Sequence, residues 1–156
     1  MSRTSNFFES KKDWSKIKDQ ILLTYMKPYL AKMAHTHRPT LVADCFAGKG
    51  EFDDGEPGSP LMMAQLVQEQ VNMRPEAKLK VVCIEKKYVS ELRQNAEPYA
   101  DFLTCLDGDY EDRMEFFISQ YPSRNQNLFL YVDPYGIKSI RFFLFPAGYT
   151  DGVQLR

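Results

Sequence analysis

The sequence has little that marks a secreted, membrane or metal-stabilised protein. Its three cysteines, Cys45, Cys83 and Cys105, cannot all pair with one another, and no two stand in a CxxC spacing. That argues for a reducing compartment and against a disulfide or zinc framework. No apolar run approaches the roughly 20 residues that a membrane helix needs. The opening MSRTSNFFESKK lacks the apolar centre of a signal peptide. A cytoplasmic protein without membrane association is expected. His35 and His37 lie in a polar stretch with no third ligand in view. Asp53-Asp54-Gly55-Glu56 lacks the alternating ligands of a calcium loop. No metal site is expected, and repeats, low-complexity tracts and Ser/Gly linkers are absent.

What is present is an ordinary globular balance. The 156 residues are 44% hydrophobic and 26% charged, enough for one domain. The net charge of −1 conceals an asymmetry. Residues 1–38 hold eight Lys/Arg against three Asp/Glu, whereas residues 39–156 hold 12 against 18. The basic part reads as an N-terminal helical arm with Lys11, Lys12, Lys16, Lys18, Lys27, Lys32 and Arg38. Such an arm serves either as a contact for a nucleic-acid backbone or as a solvated helix face. Trp14, Ile17, Ile21, Leu22 and Tyr25 recur at helical spacing and form its predicted apolar face, with Phe7, Phe8 and Trp14 packing the arm onto the body. Pro28 is predicted to bend or interrupt the helix, leaving Tyr29, Leu30 and Met33 in a second short piece.

Beyond residue 38, apolar runs alternate with helical stretches. Residues 40–44, 79–85, 102–106 and 128–133 read as four buried strands. Helices are predicted from Ser59-Pro60, with Ser59 as N-cap, from about Tyr88 to Ala96, and from Tyr110 to about Ser119. The strands are apolar without alternation, which means a parallel sheet covered on both faces. The fold class is therefore α/β, a doubly wound, Rossmann-like sheet. The cysteines fall on or beside strands and read as small buried apolar residues.

In such sheets a ligand sits beyond the carboxyl ends of the strands. The first strand ends in Asp44-Cys45-Phe46-Ala47-Gly48-Lys49-Gly50. This is neither a phosphate loop nor GxGxxG, so a dinucleotide-dependent oxidoreductase is disfavoured. Asp44 would repel a pyrophosphate and suits a cationic or amine-bearing ligand. The second strand ends in Glu85, placed to accept both hydroxyls of a ribose. The third runs into Asp107-Gly108-Asp109, whose carboxylates suit an adenine amino group, and the fourth into Asp133-Pro134-Tyr135-Gly136. Each has a plainer reading. Asp44 and Asp133 could cap loops or helices, Glu85 could begin a helix, and Asp107 to Asp109 could form a simple turn. Together the tips offer carboxylates to an amine, a ribose and a base, with no phosphate site. That inventory matches S-adenosylmethionine.

The run from Asp44 to Gly50 resembles the FxGxG cofactor loop of amino-group methyltransferases acting on nucleic acids. Asp133-Pro134-Tyr135 is similar to an abbreviated form of their catalytic Asp-Pro-Pro-Tyr/Phe motif. More specifically, FFESKKDWSKIKDQILLTYMKPYLAK, DCFAGKGEFDDGEPGSPLMMA and LYVDPYGIKSI resemble the three-Cys-motif partner protein family of bacteria and archaea. The resemblance implies a cofactor site of Asp44, Phe46, Ala47, Gly48, Gly50, Glu85 and Asp109. It also implies a catalytic turn of Asp133, Pro134 and Tyr135, in which Asp133 and a backbone carbonyl accept from a target amine and Tyr135 stacks on a flipped base. Here the chain departs from the motif: the second proline is missing and Gly136 follows Tyr135.

Two functions are expected from this. One is a methyltransferase-like protein that binds S-adenosylmethionine and transfers a methyl group to a nucleic-acid amine. The other is a non-catalytic, methyltransferase-like partner of a three-Cys-motif, radical-enzyme-like protein. Residues 39–140 are expected to form the cofactor-binding core. Residues 141–156 read as an aberrant or truncated tail, so the catalytic domain is expected to be incomplete, with four strands where methyltransferase sheets carry seven.

Overall fold

The computed structural model of the chain describes residues 8–113 and 125–134. Its order is α1 (Asp13–His35), β1 (Thr40–Asp44), α2 (Ser59–Met73), β2 (Leu79–Glu85), α3 (Val89–Asn95), a 3₁₀ turn (Glu97–Tyr99), β3 (Leu103–Asp107) and β4 (Asn127–Tyr131). All strand pairs are parallel and the sheet order is β3-β2-β1-β4. The chain therefore winds one way from β1 to β3 and returns past β1 to place β4. The reversal falls between β1 and β4, where a doubly wound sheet opens a crevice at its carboxyl ends.

The uninterrupted apolar runs explain the strands. Val42, Val81, Cys83 and Leu103 point to one face and meet Leu22, Met26, Leu30, Met63, Val67 and Leu92 from the three helices. Right-handed crossovers from β1 to β2 and from β2 to β3 require their helices on that same face. The opposite face carries Cys45, Val82 and Ile84 with Phe46, Leu106, Tyr110 and Leu130 packed on them. A helical stretch begins at residues 110–113, and the rest of the predicted helix lies outside the described residues. So do Phe7, Tyr135 and the tail.

Two expectations about α1 are corrected. It runs unbroken through Pro28. The proline is exposed, as is Thr24, whose carbonyl loses its helical donor, so the lost bond faces water instead of the core. The buried face is also a different one: Leu22, Met26, Leu30 and Ala34 are buried, whereas Trp14, Ile17, Ile21 and Tyr25 are 58–66% exposed. Two apolar stripes share the helix, and the sheet takes the one with the smooth four-residue spacing. A third correction concerns α2: its N-cap is Gly58, and Ser59 is the first helical residue.

Met26 is wholly buried, so Met26→Ala is expected to cost about 2–5 kcal/mol. Pro28→Ala restores a backbone donor on the wet side of α1 and is expected to raise stability by about 1–3 kcal/mol. Urea unfolding of the two variants measures both.

Candidate functional site

A cleft of about 730 Å³ opens at the carboxyl ends of the strands, within the usual size range for small-molecule sites. Its walls include Phe46, Ala47, Gly50, Glu85, Asp109, Asp133 and Pro134 from the expected set. Asp44 and Gly48 are not among the lining residues, and Tyr135 lies outside the described ones.

Asp44 is fully buried and braces the loop from within. Its Oδ1 accepts the Phe46 N–H at 3.2 Å, and its Oδ2 accepts the Ser59 hydroxyl at 2.6 Å. Both oxygens thus bond to protein, and Asp44, expected to hold an amine-bearing ligand, stands behind the cleft wall. Burial raises its pKa to about 6, against the lowering effect of the Ser59 and Phe46 hydrogen bonds. The carboxylate complements the start of α2 through Ser59, and Pro60 removes one donor there. That helix end is consequently poorly suited to a phosphate.

Glu85 is 7% exposed and lines the cleft, yet it is mostly committed. Its Oε2 accepts from Gly48 N–H at 2.7 Å, and its Oε1 accepts from Lys87 and Tyr88 N–H at 2.8 and 3.1 Å. A carboxylate has about four acceptor sites, so one remains for a ligand hydroxyl. Its capping role leaves room for one further hydrogen bond, fewer than the two ribose hydroxyls expected of it.

The loop after β1 doubles back through an antiparallel bridge between Glu51 and Pro57. Its two ends cross where Gly58 N–H donates to Gly50 O at 2.7 Å. Gly50 has φ +83°, and a Cβ there would stand 2.9 Å from Leu92 Cδ1. Only glycine fits both conditions. Asn95 on α3 holds the same loop by donating to Lys49 O at 2.9 Å.

On one wall of the cleft, the Phe46 and Tyr110 rings pack against each other, 5.1 Å apart at 36°. Asp109 is half exposed and paired with Lys86 at 2.7 Å. At the β4 tip, the Lys18 ammonium and the Tyr131 hydroxyl both donate to Asp133 Oδ2. Lys18 also sits 4.1 Å from the centre of the Trp14 ring. Burial, then the Asp133 charge, push the Tyr131 phenol well up. Burial also pushes the Cys45 thiol up to about 12, so this cleft-lining cysteine is no thiolate nucleophile at neutral pH. Among the described residues no cluster of His, Cys, Asp and Glu could hold a metal ion.

The sequence did not point to the contribution of the N-terminal segment. Phe8, Trp14, Ser15, Lys18 and Asp19 all line the cleft. A buried Lys11 anchors this segment: its ammonium pairs with Asp19 and donates to Pro57 O, with the Phe52 ring 5.5 Å away. The available signal was the core stripe itself. Followed toward the N-terminus, Leu22, Met26 and Leu30 give way to Asp19 and Ser15, polar groups where the face passes from core to cleft.

Comparison of the chain with protein-family models, with curated proteins and with solved structures found no match. Among the described residues, no helix is long and apolar enough to cross a membrane.

The raised pKa of Asp44 sets a pH dependence. Between about pH 4 and 6 the folded chain retains a proton that the unfolded chain releases. Stability from this group is therefore present at low pH and falls as pH rises through that window, by on the order of 2–3 kcal/mol. Asp44→Asn is expected to flatten this slope in denaturation series from pH 4 to 7. Gly50→Ala is expected to cost about 1–3 kcal/mol, read by thermal unfolding.

Proposed function

We propose that this cleft binds S-adenosylmethionine and that the chain is a methyltransferase-like protein of the three-Cys-motif partner type, acting on an amine of nucleic acid. The observation that carries the reading is a cleft whose wall, among the described residues, counts five carboxylates against three ammonium groups, most of them already paired, with no cradle of free cations for a phosphate. Its walls hold Asp19, Glu51, Glu85, Asp109 and Asp133 against Lys18, Lys86 and Lys87. Lys18 is engaged by Asp133 and Lys86 by Asp109, while Lys87 lies 4.9 Å from the centre of the Tyr88 ring. Lys87 is the one wall lysine without a carboxylate partner among the described residues, a single cation for a ligand as highly charged as a pyrophosphate. A ligand with a sulfonium and an ammonium suits such a wall, whereas a dinucleotide does not.

In this reading the adenine lies against the Phe46–Tyr110 ring pair, with Asp109 accepting from its amino group. Glu85 gives its remaining acceptor site to a ribose hydroxyl. Ala47 and Gly50 allow the ligand close to the backbone. When bound, the cofactor supplies an electrophilic methyl group. The chain's part is orientation: Asp133 Oδ1 and the carbonyl at Pro134 receive hydrogens of the target amine and direct its lone pair. The proton released on transfer passes to Asp133 or to water. The exposed lysines of α1 offer a contact for a phosphate backbone, which salt would weaken.

A non-catalytic partner subunit is the second reading, favoured by the Lys18 and Tyr131 donors that already occupy Asp133 Oδ2. Titration calorimetry with S-adenosylmethionine tests the binding step. Binding is expected in the wild-type chain, at least tenfold weaker in Phe46→Ala, and retained in Asp133→Ala; a folded wild-type chain that does not bind contradicts the cofactor assignment. Methyl transfer from labelled cofactor to DNA or RNA then separates the two readings. Transfer lost in Asp133→Ala supports catalysis, and binding without transfer in the wild type supports the partner role.

A further inference from the structure

We propose that the outer face of α1 is an interface between two copies of this chain. Trp14, Ile17, Ile21 and Tyr25 are 58%, 59%, 66% and 61% exposed. At about 100° per residue they fall within an arc of about 80°, roughly 160° around the helix from the core stripe. A helix that is apolar on two opposed faces has a partner on each. The sheet and α2 supply one, and nothing among the described residues covers the other.

The character of the outer stripe selects its occupant. Between Trp14 and Tyr25 the arc itself carries no charged residue, and Lys18, which borders it over the Trp14 ring, is already paired with Asp133. Lys12, Lys16 and Lys27 lie on the opposite side of the helix from the arc. The spacing of three, four and four is nearly palindromic about residue 19. An antiparallel crossing of two α1 helices therefore sets Trp14 of one copy against Tyr25 of the other, and Ile17 against Ile21. Such a surface is self-complementary, as a twofold interface requires.

The stripe presents about 500 Å² of apolar surface. A standard interface buries about 800 Å² per partner, so the patch supplies most of that area. Tyr25 stacks on Tyr29, and both rings pack at a tilt against Phe129 of β4, where the stripe meets the sheet. As the outer strand of the sheet, β4 has a second edge unpaired among the described residues. Bare backbone groups there disfavour a lipid surface as the occupant. The pairing also reaches the cleft: Trp14 lines it, so Tyr25 of the second copy would stand at its mouth.

Trp14 is the single tryptophan, so its emission reports directly on this face. The test is sedimentation equilibrium of the full chain from low to high micromolar concentration, with Trp14 emission followed in parallel. A dimer is expected, with emission moving to shorter wavelength as concentration rises. Ile21→Glu and Ile17→Glu change exposed residues. Each is expected to keep the wild-type circular dichroism, remain monomeric throughout and show long-wavelength emission. A wild-type monomer over the whole range overturns the proposal. So do a buried Trp14 whose emission is independent of concentration, a shift that requires added anionic vesicles, and glutamate variants that associate like wild type.

Discussion

The carboxylate of Glu85 holds the open end of this molecule together. Placed at the tip of β2, it gathers the amides of Gly48, Lys87 and Tyr88, joining the loop after β1 to the turn that leads into α3. Charge-assisted bonds of this kind are about twice as strong as neutral ones, and here three converge on one buried group. Asp44 performs the same task one strand away, tying Phe46 to the first residue of α2. The two acids that most resemble ligand-binding groups thus first build the loop that forms the cleft wall. Glu85 does so while still facing the cleft; Asp44 does so behind it.

The second constraint is the return of the N-terminal segment across the strand ends. Lys11 and Asp19 form an ion pair shielded from water, and Lys11 also reaches the Pro57 carbonyl. Breaking a buried pair by removing one partner is costly, so the segment is firmly set against the glycine loop. Phe8 continues the seam, its carbonyl accepting from Asp53 N–H at 2.8 Å and its ring edge-on to Tyr88 at 5.0 Å. From that anchor α1 carries Trp14 and Lys18 to the β4 tip. Lys18 and Tyr131 both donate to one oxygen of Asp133, a residue of the cleft wall, which orients the carboxylate.

Much of the fold was legible because parallel strands buried on both sides leave a plain record. Residues 40–44 and 79–85 match the observed β1 and β2, and β3 and β4 shift by only one or two residues. The placement of Glu85, Asp109, Asp133 and Pro134 around one cleft followed from topology alone, since every strand points its carboxyl end the same way. What was not legible depends on distant partners. Trp14-Ile17-Ile21-Tyr25 and Leu22-Met26-Leu30-Ala34 are both helical stripes, and only the sheet decides which of them is buried. The duty of Asp44 depends on Ser59, which reaches it only after the loop has doubled back. Pro28 looked like a break because its exposure, and hence the small cost of a lost bond, belongs to the folded state.

The central claim is that the cleft holds a sulfonium nucleoside against the Phe46–Tyr110 wall, beside Glu85. Saturation-transfer difference NMR of S-adenosylmethionine with the folded chain reads this at the level of ligand protons. The account predicts strong saturation of the adenine and ribose protons, lost in Phe46→Ala and not competed by NAD. Absence of saturation, or equal displacement by NAD, would contradict it.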